Sequence, residues 1–323
     1  MSDTARPSIV FLDGETFAPS IDLTRPNVAH DWKVYDATSA DEVQERLMGA
    51  RVAITNKVPI GRATIEKLPD LKLIAVSATG YNIIDIEACR DEGITVSNVQ
   101  GYAKETLPEH VFALMLALRR SLVPYRQDVI AGKWQEASQF CFFDHPIYDL
   151  AGSVLGIVGA GTLGRAVGTI GEAFGMEVIY AGHKGDAEPA RGRVPFDEFL
   201  WRADVISLHC PLTDETTGLI GDREFASMKR KPLLINTARG GVVDEVAAVR
   251  ALDNGDISGL GFDVLTKEPP TDNNPLLEIA DRPNVIITPH VAWASEDAQS
   301  EVWRQTIENI DAFLGGDPMR VVS

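Results

Sequence analysis

Cysteine is scarce in this chain. Its three copies, Cys89, Cys141 and Cys210, are odd in number and never spaced as C-x-x-C. That argues against a disulfide scaffold and for a reducing, cytoplasmic compartment. His209 lies beside Cys210, but no third ligand follows at usable spacing, so no metal site is expected. Basic charge is also short: 30 Lys and Arg stand against 47 Asp and Glu, a net −17. Such a field repels nucleic acid and anionic membranes, so neither is an expected partner. Long apolar runs are missing too. The longest, residues 111–118, cannot span a bilayer, and the opening MSDTARPS holds no apolar signal core. Small-molecule chemistry remains, and an anionic ligand in so acidic a chain would need a local cation.

At 323 residues with 45% apolar content, the chain has the length of two domains rather than one. Short apolar runs at 9–12, 52–55, 73–76 and 94–97 read as strands separated by helical patterns. Ser39 and Glu42 suggest a capping box for a helix over 39–48. A second helix over 85–92 stops at Gly93, a suitable C′ residue. A further strand–helix series starts at Val154. Strands alternating with helices imply parallel pairing. The expected fold class is α/β: two Rossmann- or flavodoxin-like parallel-sheet domains with a cleft between them. Between the two series lie a helix over 109–120 and the aromatic run Phe140-Cys-Phe-Phe143. No internal repeat or low-complexity segment is present.

The second series opens with an apolar strand running into Gly159-Ala-Gly161-Thr162-Leu163-Gly164. A helix with small residues at Ala166, Gly168 and Ala173 follows. In such a G-x-G-x-x-G, the first glycine permits the turn and the second lets a pyrophosphate approach the backbone. The third lets helix and strand pack, while the helix N-terminus favours negative charge. The next strand, 177–181, would usually end in Asp or Glu, roughly 20 residues on, to bind the adenosine ribose. Here that position is Gly182, followed by His183 and Lys184, with Arg191 and Arg193 beyond. A 2′-phosphate would meet no carboxylate there, which favours NADP over NAD. The alternative is a plain solvated loop and use of NAD.

Three functional groups each stand just past an apolar run: Arg239 after 233–235, Glu268 after 260–264 and His290 after 285–288. Ligands of open parallel sheets bind outside the carboxyl ends of the strands, so the three can converge on one crevice. The set suits reduction of a 2-oxo acid. Arg239 would span the carboxylate and the carbonyl oxygen, and His290 would be the general acid. Glu268 would favour the charged imidazole. Singly, each has an ordinary structural explanation: an Arg on a carbonyl, a Glu before a Pro turn, a core imidazole. The loop Ser77-Ala-Thr79-Gly80 follows another strand, either as an anion-binding nest or as a simple turn that needs its Gly.

Further motifs recur in fixed order. They are Ala203-Asp-Val-Ile-Ser-Leu-His-Cys-Pro-Leu-Thr213, Met228-Lys229 and Leu234-Ile-Asn-Thr-Ala-Arg-Gly-Gly-Val-Val-Asp244. Then come Gly261-Phe-Asp-Val-Leu265, Glu268-Pro, Asn274-Pro-Leu and Thr288-Pro-His-Val-Ala-Trp293. Over nearly its whole length the chain resembles the D-isomer-specific 2-hydroxyacid dehydrogenases, and within them the glycerate dehydrogenase (hydroxypyruvate reductase) branch.

The resemblance implies that Arg239, Glu268 and His290 are catalytic. It implies cofactor contacts from Gly159, Gly161, Thr162, Leu163, Gly164, Gly182, His183 and Lys184. Cys210 and Pro211 would line the nicotinamide. Asp263 would hold its carboxamide, helped by Thr237 and Ala238, although a structural bond from Asp263 to a nearby turn is the rival. Thr79 and Gly80, with Ser77, would hold the substrate carboxylate opposite Arg239. Trp293 would wall the pocket or serve as core.

The resemblance also implies a discontinuous substrate domain, 1–102 with 293–323, around a dinucleotide domain, 103–292. The last helix, 295–314, would cross back to the first domain, with hinges near Glu109 and Ser295. The 134–148 arm would form a homodimer. Hydroxypyruvate and glyoxylate are the expected substrates, with pyruvate or 3-phosphohydroxypyruvate as alternatives. The chain stops shortly after Leu314, with no room for the regulatory domain that phosphoglycerate dehydrogenases often carry. A non-catalytic, corepressor-like dinucleotide sensor is a remote alternative.

Overall fold

In the computed structural model, residues 6–186, 188–271 and 273–323 are described. Residues 1–5 of the N-terminal reading lie outside the described residues. The chain clusters into two units, Met1–Tyr102 with Ala294–Ser323, and Ala103–Trp293. Each is built on an all-parallel sheet.

The first unit runs β1 (Ser8–Phe11), β2 (Asp31–Val34), α1 (Val43–Leu47), β3 (Val52–Thr55), α2 (Arg62–Ile65), β4 (Leu73–Val76), α3 (Ile86–Asp91) and β5 (Thr95–Ser97). The sheet order is β2-β1-β3-β4-β5, with every pairing parallel. Strands β3 and β4 are buried at every residue, which explains their unbroken apolar runs: both faces of a parallel sheet are covered.

Strand β2 is the element that the apolar pattern does not reveal. Its residues Asp-Trp-Lys-Val lie mostly exposed at the sheet edge, so pairing to β1, not burial, defines it. Helix α1 begins at Val43, later than the Ser39 expectation. Glu42 Oε2 accepts from both Ser39 N and Ser39 Oγ, so the serine donates into a preceding turn and does not cap the helix. Helix α3 follows its expected signals: Asp85 Oδ1 accepts from Ala88 N at 2.8 Å, and Gly93 takes φ +64°.

The switch point of this sheet lies between β1 and β3. There the chain supplies its own anion: the Asp13 carboxylate accepts from Asn56 N and Lys57 N. Burial raises the Asp13 pKa, against the lowering from these backbone bonds.

The second unit starts with α4 (Thr106–Arg119), α5 (Leu122–Ile130) and α6 (Lys133–Glu136). It continues with β6 (Val154–Val158), α7 (Thr162–Ala173), β7 (Glu177–Tyr180), α8 (Phe196–Arg202), β8 (Val205–Leu208) and α9 (Asp222–Ser227). Then come β9 (Leu233–Asn236), α10 (Glu245–Asn254), β10 (Gly259–Phe262) and β11 (Val285–Ile287). The sheet order is β11-β10-β9-β8-β6-β7, all parallel. A lone parallel bridge, Ala181 to Val194, stands where the dinucleotide-binding order 3-2-1-4-5-6 has its outer strand. The switch point falls between β6 and β8. Helix α4 lies against β10 and β11. Gly261 permits this, since a Cβ there would sit 3.2 Å from Leu118 Cδ1 and 3.3 Å from Leu114 Cβ of that helix.

The last helix, α11 (Glu296–Leu314), belongs to the first unit and packs on β4. Ser295 caps it by accepting from Ala298 N. Its Trp303 is 1% exposed, contacts the Phe11 and Phe17 rings, and donates Nε1–H to Thr24 O at 2.9 Å. Burying a residue of that size contributes about 2–3 kcal/mol by area. No helix among the described residues is long and apolar enough to cross a membrane.

Burial raises the Cys89 thiol to about 11. At pH 8 its thiolate fraction is then about one part in a thousand, so native protein should leave Cys89 unmodified by a thiol reagent that labels it fully in denaturant. Mass mapping of the labelled peptides checks this. Native labelling of Cys89 as fast as in denaturant would contradict its placement in the core.

Candidate active site

The carboxyl end of β6 turns at Gly159, φ +101°, directly against the end of β8. A Cβ on Gly159 would lie 2.7 Å from the His209 carbonyl, and one on Gly164 only 2.0 Å from Gly159 O. These two glycines close the turn on itself and on its neighbour strand. Gly161 differs: a Cβ there would meet nothing within 4 Å. Its absence of a side chain therefore has no packing reason, which suits close approach of a pyrophosphate to the α7 N-terminus. Within α7, Gly164, Gly168 and Gly171 are the buried small residues. Ala173, expected to pack, is exposed.

Past β7 the site departs from expectation. Gly182 is buried, and a Cβ there would lie 2.7 Å from Pro189 Cβ and 3.1 Å from Val194 O. Lys184 is not a free cation. Its Nζ sits 2.9 Å from Glu224 Oε1 and 3.4 Å from Leu219 O. Glu224 is 5% exposed and its other oxygen accepts from Gly221 N at the start of α9. His183 is exposed. Among the described residues no ion pair involves Arg191 or Arg193.

Strands β9, β10 and β11 are consecutive neighbours in the sheet, so the loops that carry Arg239, Glu268 and His290 leave it at neighbouring positions. Gly240 brings two of these loops into contact: a Cβ there would lie 1.9 Å from Leu265 O. Asn236 shapes the Arg239 turn by donating to Arg239 O and accepting from Ala238 N, both at 3.1 Å. Arg239 is exposed, with Nη1 donating to Ala238 O at 2.7 Å. The Thr237 hydroxyl is buried without a hydrogen-bond partner among the described residues. The Glu268 loop is tied to α10, since Glu245 accepts from Thr266 N at 2.6 Å and from Asn274 Nδ2 at 2.8 Å. Glu268 Oε1 accepts from Leu265 N at 2.9 Å, and its Oε2 lies 2.6 Å from His290 Nδ1.

His290 occupies a left-handed backbone conformation, φ +56°, uncommon for a residue with a Cβ. It is held there from Asp263. His290 N donates to Asp263 O at 2.8 Å. Asp263 Oδ1 accepts from Thr288 Oγ1 at 2.6 Å and Val291 N at 2.9 Å, and its Oδ2 accepts from Ala292 N at 2.9 Å. Strand β10 stops at Phe262, so Asp263 is the first residue beyond it. Its carboxylate is thus engaged by the nearby turn, the rival considered above, leaving about one acceptor position of the four a carboxylate offers. The network reaches α4, where His110 Nε2 is 3.0 Å from Thr288 Oγ1. His110 and Thr288 were not singled out in the sequence, because a lone His inside an apolar helix resembles any packed imidazole.

The remaining expected residues are placed as follows. Cys210 is buried and its thiol pushed up by desolvation, so it offers backbone and bulk but no nucleophile. Pro211 beside it is exposed. Burial holds His209 down at about 4, leaving it neutral near pH 7, with Nε2 2.8 Å from Ser207 Oγ. Ser77, Thr79 and Gly80 follow β4 in the first unit. Ser77 is buried, with its N–H donating to Thr55 O at 2.8 Å and its Oγ 3.2 Å from Thr306 Oγ1, so its backbone donor is already used. Thr79 Oγ1 donates to Val99 O. Trp293 is partly buried in the turn before α11. No group of His, Cys, Asp or Glu among the described residues could hold a metal ion.

Residues 112–292 match the family described as D-isomer specific 2-hydroxyacid dehydrogenase, NAD binding domain. A glycerate dehydrogenase of Methylorubrum extorquens is 49% identical over 317 residues, covering 97% of this chain and 98% of that protein. Among solved structures, a D-lactate dehydrogenase from Aquifex aeolicus, complexed with NAD and lactic acid, superposes with TM-score 0.78 at 30% identity. It covers 96% of each chain. An acyclic imino acid reductase in complex with NADPH and D-Arg gives TM-score 0.80 at 28% identity, covering 98% of this chain and all of that one. The chain belongs to the D-isomer-specific 2-hydroxyacid dehydrogenases, oxidoreductases with a NAD-binding domain.

The two motif glycines should separate in a stability measurement. Gly164→Ala forces a Cβ onto rigid backbone and should cost about 3 kcal/mol or more, whereas Gly161→Ala should stay within about 0.5 kcal/mol of wild type. Denaturant midpoints of the apo-protein check this, and equal losses would contradict the packing described for the turn.

Proposed function

We propose that this chain reduces a small 2-oxo acid, hydroxypyruvate or glyoxylate, to the 2-hydroxy acid, of D configuration where a centre forms, with NADPH favoured over NADH. The observation that carries the reading is the 2.6 Å contact between His290 Nδ1 and Glu268 Oε2, beside Arg239 on the neighbouring strand exit. A carboxylate, an imidazole and a guanidinium so arranged are what addition of hydride and proton to a 2-oxo acid requires.

Gly159, Gly161, Thr162, Leu163 and Gly164 would hold the pyrophosphate. The unpartnered Thr237 hydroxyl and the remaining acceptor of Asp263 suit the nicotinamide carboxamide. Ala238 N is already used by Asn236. Bound there, the reduced nicotinamide supplies the hydride. Negative charge then grows on the substrate carbonyl oxygen. Arg239, whose Nη1 is occupied by Ala238 O, keeps its other N–H groups for that oxygen and the carboxylate. Glu268 accepts from Nδ1, so Nε2 is the atom that delivers the proton to the oxygen, and takes it back in the reverse direction.

NADPH is favoured because Gly182 places no carboxylate near a 2′-phosphate. Glu224 offsets the Lys184 charge, which leaves Arg191 and Arg193 as the recognising cations, with His183 as a further N–H donor. The arm at 134–148 is read as the contact with a second copy of the chain, since Phe140 and Phe143 are 88% and 81% exposed.

Loss of nicotinamide absorbance, with NADPH and NADH each against hydroxypyruvate, glyoxylate, pyruvate and 3-phosphohydroxypyruvate, tests the reading. Turnover should be fastest with hydroxypyruvate or glyoxylate and NADPH. His290→Ala should lower kcat by about 10²–10⁴-fold, while Arg239→Ala should damage kcat and KM together. Near-native turnover of either variant would remove the role assigned to it. A wild-type preference for NADH would make 182–184 an ordinary loop. The assembly is tested separately by light scattering: wild type should have a dimer's mass, and Phe140→Asp with Phe143→Asp should lower it. A monomeric wild type would end that part of the reading.

A further inference from the structure

The proton donor proposed above stands on a turn, 288–292, that has no regular secondary structure of its own. It is tied to Asp263 by four hydrogen bonds: those from Thr288 Oγ1, Val291 N and Ala292 N to the carboxylate, and that from His290 N to the backbone oxygen. The Thr288 hydroxyl has one proton, and at 2.6 Å from Asp263 Oδ1 that proton is directed at the carboxylate. Toward His110, 3.0 Å away on the other side, Thr288 Oγ1 can only accept. His110 must therefore carry its proton on Nε2. Its own distance to Asp263 Oδ1 is 3.7 Å. The chain of donors runs in one direction, from His110 through Thr288 to Asp263, and Asp263 gathers the turn.

This arrangement is built from distant parts of the unit. His110 sits on α4, which reaches the sheet because Gly261 of β10 leaves room for Leu114 and Leu118. The His110 side chain is 20% exposed and that of Asp263 is 1% exposed. A side chain with those two partners in a mostly buried setting restricts where Thr288 can point. Without it, Thr288 loses the donor that fixes its rotamer, and the hydroxyl that orients the Asp263 carboxylate toward the Val291 and Ala292 N–H groups is no longer held in place.

We infer that His110 is a positioning residue for the reaction: acting through Thr288 and Asp263, it holds the 288–292 turn in the conformation that aims His290 at Glu268 and at the substrate. It touches neither substrate nor cofactor in this role. The inference rests on His290 being the proton donor.

The test uses His110→Phe, which keeps a flat ring and removes the donor, and His110→Gln, whose amide N–H can replace Nε2–H. Thr288→Val and Thr288→Ser cut and restore the same link from its other end. His110→Phe should lower kcat about tenfold, with KM for both substrates within about twofold, and His110→Gln should recover most of the loss. Amide exchange at Val291 and Ala292 in the apo-protein should quicken in His110→Phe at unchanged global stability. The double variant His110→Phe/Thr288→Val should be no slower than the worse single one, because one link is cut once.

Wild-type kcat in His110→Phe, equal losses in Phe and Gln, or additive losses in the double variant would each overturn the inference. So would unchanged exchange at Val291 and Ala292. If His110→Phe does not fold, the Thr288 pair decides: Val slow and Ser normal supports the link, and equal rates refute it. His290→Ala separates the two layers. Its retention of turnover sinks the proton-donor reading itself, whereas an inactive His290→Ala beside a normal His110→Phe sinks this inference alone.

Discussion

A carboxylate at the end of β10 has almost no access to solvent, and taking it there without hydrogen bonds would cost several kcal/mol. Asp263 meets that demand with donors from one short turn, 288–292, and in doing so dictates the path of that turn. The left-handed backbone of His290 follows from it. A side chain in that region costs about 1–2 kcal/mol, less than leaving the buried acid short of partners. On the facing loop, Glu245 plays the corresponding part by taking donors from Thr266 and Asn274, and so presents Glu268. Two acids outside the His290–Glu268 pair thus fix both halves of it.

The two sheets treat the same topological feature in opposite ways. At its switch point the first sheet folds Asp13 into the backbone donors of Asn56 and Lys57, so the chain's own carboxylate fills the place where an anion would lie. The second sheet puts glycine there. Gly159 and Gly164 close the turn, and Gly161 leaves the helix N-terminus uncovered. Similar strand orders therefore yield one anion site that the chain satisfies itself and one that it leaves open.

Much of this was legible in the sequence, for identifiable reasons. Strands such as β3, β4, β6, β8 and β9 are buried on both faces, and an unbroken apolar run is the direct imprint of that. The positions of Arg239, Glu268 and His290 were legible because strand exits can be counted along the chain. Strand β2 was not, since an exposed edge strand is defined by its partner and leaves no periodic trace. Lys184 was legible as a cation but not as half of an ion pair, because Glu224 lies 40 positions away on α9. For Asp263 a bond to a nearby turn was the stated rival, but which donors that turn supplies was not legible, because they are backbone and hydroxyl groups that carry no sequence signal. His110 went unnoticed for the same reason: its meaning depends on α4 crossing β10.

Gly240 has a consequence for anyone who would alter this protein. Its backbone lies so close to Leu265 O that the loop bearing Arg239 and the loop bearing Glu268 share a van der Waals surface with no slack. Grafting a different β9 exit from a relative would displace the Glu268 loop unless both segments were transplanted together. Either loop can therefore be exchanged only as a block with the other.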